Sequence, residues 1–265
     1  MWKKLANYLD LAYSYFGFNL KAKLEYRGAF ICQVTAMFVN DCIWLAYFVM
    51  VFDHYPVVPG WTSADVATLW AVTAAGFGIA HCLFGNTLEL ARIIAVGGLD
   101  VWLLYPRALL PHLVLGKMSA SSLGDALFGY AVYILFLRPD WPHLLLFTVL
   151  TMSVAVLFLG FSVLSGSLSF YLGNSETLSE SWRNALIAFS TYPLDLFDGK
   201  VRLLLFTVIP AAFVSGYPVE ALRKMSLVDA WYSLLGALLV LAVSIVVFHH
   251  GLRRYESGNM VAMRG

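Results

Sequence analysis

Long apolar stretches alternate with short polar ones along the chain, and their lengths set the first expectation. A helix crossing the hydrocarbon core of a bilayer needs about 20 mostly apolar residues. Residues 28–52 read GAFICQVTAMFVNDCIWLAYFVMVF, and residues 66–84 read VATLWAVTAAGFGIAHCLF. A third stretch lies within 108–137 and carries Lys117 and Asp125. The fourth starts near His143, the fifth covers 201–219 with Pro210 and Pro218 inside it, and the sixth covers 229–250. The pattern predicts an all-α integral membrane fold in a single domain over 1–265. Six spans occupy 28–250, a short tail follows at 251–265, and no room is left for a separate soluble domain.

Ahead of the first span, Leu5, Leu9, Ala12, Phe16, Leu20 and Leu24 recur at three- and four-residue spacing. Lys3, Lys4, Asn7, Asp10, Lys21 and Lys23 mostly take other faces. That spacing predicts an amphipathic helix within 1–27, suited to the inner-leaflet interface. The alternative is a helix packed on protein, for which a chain without a soluble domain offers little surface.

The segment GNTLELARIIAVGGLDVWLLYPR, 85–107, separates spans two and three. Asn86 is a good N-cap, and Glu89 three residues on completes a capping-box-like pair. A short helix is expected from about Thr87 to Ile94, stopping at Gly97-Gly98. A second polar helix is signalled by Thr177 and Glu180, with Leu178, Trp182, Leu186 and Phe189 on one face. Tyr192-Pro193 ends it. With a cytoplasmic N-terminus, thirteen Lys and Arg fall in inside segments and three in outside loops. This bias places both termini and both short helices in the cytosol, where a soluble partner can push on them.

Composition agrees with the pattern. The chain is 60% hydrophobic and 12% charged, with mean hydropathy +0.76, against about 45–50% and 25% in soluble domains. A formal net charge of +1 provides no field for nucleic acid. Cys32, Cys42 and Cys82 lie in apolar runs without a CxxC pair, so they read as buried small residues. The N-terminus has basic residues but no apolar core followed by a cleavage site, so no signal peptide is expected.

Two stretches carry a resemblance to a known family. One is GGLDVWLLYPRALLPHLV, with the spacing glycine–Leu–Asp–x–x–Leu–Leu–x–Pro. The other is ALIAFSTYPLDLFDGKVRLLLFTVIPAAFVSGYPVEAL, with Tyr192-Pro193 at its start and Pro210, Phe213 and Pro218 following. The chain resembles the ABC-2 type permeases of ATP-binding-cassette transporters, within a bacterial branch. The resemblance implies half of a transmembrane pathway, in an exporter of the bacterial plasma membrane. It implies a coupling helix between spans two and three, which by position falls on Asn86, Thr87, Leu88, Glu89, Leu90 and Arg92. It implies a cytosolic ATPase dimer and a second permease subunit, the same or related, as partners in the lipid bilayer. A re-entrant outer segment containing Pro210, Gly216 and Pro218 would roof the pathway. The chain has no G-x-x-x-x-G-K-[ST] loop, because Leu194 and Val201 flank Gly199-Lys200 where Gly and Ser or Thr are needed. No cofactor is therefore expected in this chain, and ATP and Mg belong to the partner.

Ionisable groups inside spans are costly. Asp41, beside Asn40 and near Thr35, either lines a pathway, carries protons, or joins two helices through a buried hydrogen bond. Lys117 and Asp125 lie eight residues apart, on one side of span three; Lys117 can instead snorkel to the interface. Gly116, Ala120 and Gly124, like Ser121, Asp125 and Gly129, repeat every four residues and predict close helix packing. Gly160, Ser162, Gly166 and Ser169 do the same in span four. His249-His250 read as an interfacial anchor, and His81, His112 and His143 have no metal-ligand spacing. No nucleophile–base pattern is present, so an enzyme is not expected. The alternative to an ATP-driven permease is a secondary transporter driven by an ion gradient, with Asp41 and Asp125 as carriers.

Overall fold

Small residues at the centre of the third helix let its neighbours approach closely, and the bundle is built around it. The computed structural model describes residues 2–54 and 58–255, with side chains from Asp10 onward. The expected roles of Lys3, Lys4, Leu5, Asn7 and Leu9 side chains, and of most of the 251–265 tail, lie outside the described residues. Among those described, every regular element is helical. Helix α1 (Trp2–Glu25) leads into α2 (Arg27–His54), and α3 is Ser63–Leu83. A 3-10 turn at Gly85–Glu89 precedes the short helices α4 (Leu90–Ala95), α5 (Leu99–Leu103) and α6 (Leu109–Leu115). Helix α7 (Ala120–Ala131) ends in a π turn at Val132–Phe136. Then come α8 (Trp141–Gly166), α9 (Ser169–Leu172), α10 (Glu176–Ser190), α11 (Gly199–Thr207), α12 (Gly216–Lys224) and α13 (Leu227–Leu252).

Helices α2, α3, α8 continued by α9, and α13 are each long and apolar enough to cross a membrane. Their starts are set by local chemistry. Thr62 and Asp65 form a reciprocal capping box at α3, and Asp140 caps α8 with a proline in its first turn. Ser226 caps α13 by accepting from the Asp229 amide. Helix α3 lies against α7 and α8 through Ala71, Ala75, Gly76 and Gly78. A Cβ on Gly78 would run into the backbone of Ala126, and one on Gly129 into the Ala71 carbonyl. Close backbone approach is what packs helices where lipid removes the hydrophobic drive.

Contacts define two ends of the bundle. One end gathers α1, α4, α5 and α6, where the Tyr15 hydroxyl meets His112 at 3.1 Å and Asn19 donates to the Leu115 carbonyl. Helix α1 thus finds a protein surface after all, in α6, with Leu11, Ala12 and Tyr15 turned onto it. Phe16 and Leu24 of the expected apolar ridge remain exposed. The far end gathers the 58–65 loop, the π turn and the tip of α12.

Three expectations change. The third stretch is not one helix, because α6 and α7 meet at 80°. Lys117 sits in the turn between them, and the Gly116–Ala120–Gly124 row is cut there. Gly116 stands against Trp102 and Asn86, whereas Gly124 touches the α2 backbone at Val34 and Phe38. Second, α10 is not a peripheral helix at the α1 end. It starts there, with Ser179 donating to the Ser165 carbonyl at 2.6 Å. It then rises beside α3, where Thr73 donates to the Ser190 carbonyl, and the chain beyond it reaches Asp195, in a 3-10 turn, which accepts from Trp61 at the far end. Its buried face is Ser179, Arg183, Leu186 and Ser190, while Leu178 is exposed. Third, 201–219 is a bent pair. Helices α11 and α12 meet at 70° around Pro210, and α12 returns to the far end, where Arg223 donates to the Gly60 carbonyl. The bent pair begins at Gly199, and Gly216 and Pro218 lie in the first turn of its second arm. Proline there displaces no helical hydrogen bond.

Candidate functional site

The segment after α3 forms an elbow, and its local chemistry differs from the capping box the spacing predicts. The Asn86 side chain donates to the Leu113 carbonyl at 2.7 Å. It thereby adds a second donor to a carbonyl at the end of α6 that also accepts from the Gly116 amide at 3.1 Å, and no side chain caps the 85–89 turn or α4. Thr87 donates to the Phe84 carbonyl at 2.6 Å. Glu89 accepts from Arg92 at 2.5 Å and pairs with Lys117 across the elbow. The Lys117 hydrogen bond, with Arg92 adding to it, holds the Glu89 carboxyl below its usual range despite partial burial. Gly97, at φ 75°, supplies the left-handed turn that ends the elbow.

Of the six residues expected to contact an ATPase, Asn86, Thr87 and Leu90 are buried in this chain. Leu88 and Glu89 are half-buried, and Arg92 is exposed beside Val96. The elbow is tied to the bundle by backbone hydrogen bonds. Gly85 donates to the Lys117 carbonyl at 2.8 Å, and Ser119 donates to the His81 carbonyl at 3.2 Å. The end of α3 and the start of α7 therefore share a joint with the elbow.

Two contiguous cavities open above that joint, between α2, α3, α7 and α10. The inner one, about 150 Å³, is lined by Asp41, Thr73, Phe77, Asp125 and Thr191 among others. The wider one, about 410 Å³, adds Asn40, Trp44, Phe48, Asn184 and Tyr192. Asp41 and Trp70 belong to both walls. Asp41 of α2 is 6% exposed and Asp125 of α7 is 4% exposed, and both line the inner cavity. No hydrogen-bond donor reaches Oδ2 of Asp41, and Nε1 of Trp70 has no acceptor.

The structure thus brings Asn40, Asp41 and Asp125 together, and leaves Thr35 on the exposed face of α2, lining neither cavity. Trp44, Trp70, Thr73, Asn184, Thr191 and Tyr192 are additional wall residues that sequence reasoning missed. Thr191-Tyr192 stood at the head of the second family-like stretch, but with α10 read as cytosolic they had no reason to face a pathway. Below the inner cavity, His81 is fully buried, with Nδ1 against the Phe77 carbonyl and Nε2 against the Ser162 hydroxyl, both at 3.0 Å. With Nδ1 protonated, the neutral ring accepts from Ser162.

A helical bundle with four helices long and apolar enough to cross a membrane defines a multi-pass membrane protein. Residues 38–259 match the family model described as ABC-2 family transporter protein. The chain belongs to that family, and is a membrane transport subunit, an ABC transporter permease, rather than a hydrolase. No curated protein and no solved structure matches it.

Proposed function

We propose that the chain forms half of the substrate pathway of an ATP-driven exporter, with a cytosolic ATPase dimer and a second permease subunit as partners. The observation that carries this reading is the shared joint. Backbone hydrogen bonds link the elbow to α3 and α7, and α7 carries Asp125 into the cavity. Force applied at Glu89, Arg92 and Val96 reaches the cavity wall without passing through a flexible linker. ATP and Mg act in the partner, and the two permease halves rock between inward- and outward-facing states. Such alternation moves cargo only if the two states bind it unequally.

Six crossings fit this reading: α2, α3, α7 with its π turn, α8, α10 and α13. The fifth is α10 rather than 201–219, and α11–α12 form the hairpin that closes the outer side. With this layout, ten described Lys and Arg stand at the α1 end and five at the far end. The bias still puts the α1 end in the cytosol of a bacterial plasma membrane, with both termini there. Arg183 falls inside the bundle.

The test is a mild-detergent pull-down of the tagged protein with mass spectrometry of what co-purifies. A Walker-motif ATPase bound by wild type and weakened by Glu89→Ala with Arg92→Ala is the expected result. Absence of any ATPase under crosslinking overturns the reading. It then favours a secondary transporter using the Asp41–Asp125 pair as proton carriers.

A further inference from the structure

We infer that the cavity at Asp41 and Asp125 takes a monovalent organic cation with an apolar body. The inference rests on the chain being a transport subunit and names the class of its cargo.

Two carboxyl groups from different helices meet where burying even one unpaired negative charge is costly. Among the described residues lining the two cavities there is no Lys, Arg or His, so the wall supplies no counter-charge. Asp41 and Asp125 both line the inner cavity, and no donor reaches Oδ2 of Asp41. Two carboxylates at one such site do not both stay charged, so a single positive head offsets the charge they carry. The rest of the wall argues against a bare metal ion, which needs six or more oxygen ligands when hard. Trp44, Phe48, Trp70 and Tyr192 instead offer ring faces of the kind that hold ammonium and phosphonium groups. A volume of about 410 Å³ suits a drug-sized body. The wider cavity opens sideways between α2 and α10, where Asn40, Trp44 and Asn184 are exposed. An amphiphile can therefore enter head-first from the side of the bundle.

The experiment compares tetraphenylphosphonium with tetraphenylborate, which carries the same four rings and the opposite charge. Equilibrium binding is measured on the purified chain in detergent. Saturable binding of the phosphonium, without saturable binding of the borate, is the expected result. Asp41→Asn and Asp125→Asn, checked for unchanged elution volume, are each expected to weaken it at least about tenfold. Equal binding of the two ions by wild type overturns the inference without any variant. Wild-type affinity in folded Asp41→Asn overturns it as well. The ATPase pull-down is read on the same preparations. Phosphonium binding that fails while the ATPase is retained removes the cargo class alone, and absence of the ATPase from wild type that still binds the phosphonium removes the ATP-driven reading alone.

Discussion

Helices α2 and α3 are both apolar enough to cross a membrane, yet their fates in the bundle are opposite. In α3, 78% of the most apolar window is buried within the chain; in α2 the figure is 11%. The difference lies in side-chain size and not in hydropathy. Helix α3 presents Ala67, Ala71, Ala75, Gly76, Gly78 and Ala80 to its neighbours, which brings backbones close enough for dense packing. Helix α2 carries Ile31, Val39, Ile43, Trp44, Tyr47 and Met50 on its exposed side, a surface for lipid or a second subunit. Its buried residues are Asp41 and Phe48. A helix can thus be peripheral for packing and still bring a central residue to the site.

The largest effect is expected where α3 meets α7. Gly78→Leu must separate two backbones, and loss of the folded, monodisperse species on size exclusion is the outcome. The matched change on α2, Ile43→Ala, is expected to stay within about 0.5 kcal/mol; a comparable collapse there would end the comparison. Next is Phe128→Ala, which empties a fully buried site facing α2 and costs roughly 2–4 kcal/mol. Trp44→Ala, from a half-exposed position, should lower the thermal midpoint much less. Smaller again is Tyr255→Phe, which removes a 2.9 Å hydrogen bond to Asp100 worth about 1 kcal/mol.

The smallest is Glu89→Gln at the elbow, about 0–1 kcal/mol for a pair this exposed. Because Lys117 and Arg92 hold the Glu89 carboxyl low, its contribution is present at neutral pH. It is lost as pH falls through the folded-state value. Melting curves of wild type and Glu89→Gln should therefore converge in acid, and a constant offset would show the pair contributes nothing.

The four long helices were legible because hydropathy and length suffice for them: 28–52 against α2, 66–84 against α3 and 229–250 against α13 agree within three residues at each end, and the start near His143 falls two residues into α8. Helix α10 was not, because Glu176, Glu180, Arg183 and Asn184 make it polar, and hydropathy cannot see that its neighbours are protein. The α11–α12 hairpin misled in the other direction, since 201–219 is apolar but folds back at Pro210. In the site, Asp41 and Asp125 stood out as charges in apolar runs. Their meeting across two helices depends on the α6–α7 bend, which no local pattern announces. The Asn86–Glu89 pair showed the limit of a cap signature, because a carbonyl at the end of α6 claimed the asparagine.

The polar character of α10 also bears on how the protein is made. A charged residue at the middle of an isolated helix costs about 2.5–3.5 kcal/mol to insert into lipid, and α10 carries Arg183 near its centre. The insertion machinery, sorting one segment at a time, would pass α10 over. Ser165 of α8, which accepts from Ser179, and the α3 face that meets Ser190 must already be standing in the bilayer to receive it. In the proposed six-crossing arrangement, biogenesis then has an order: the first four crossings form a template, and α10 is recruited to it by protein rather than by oil.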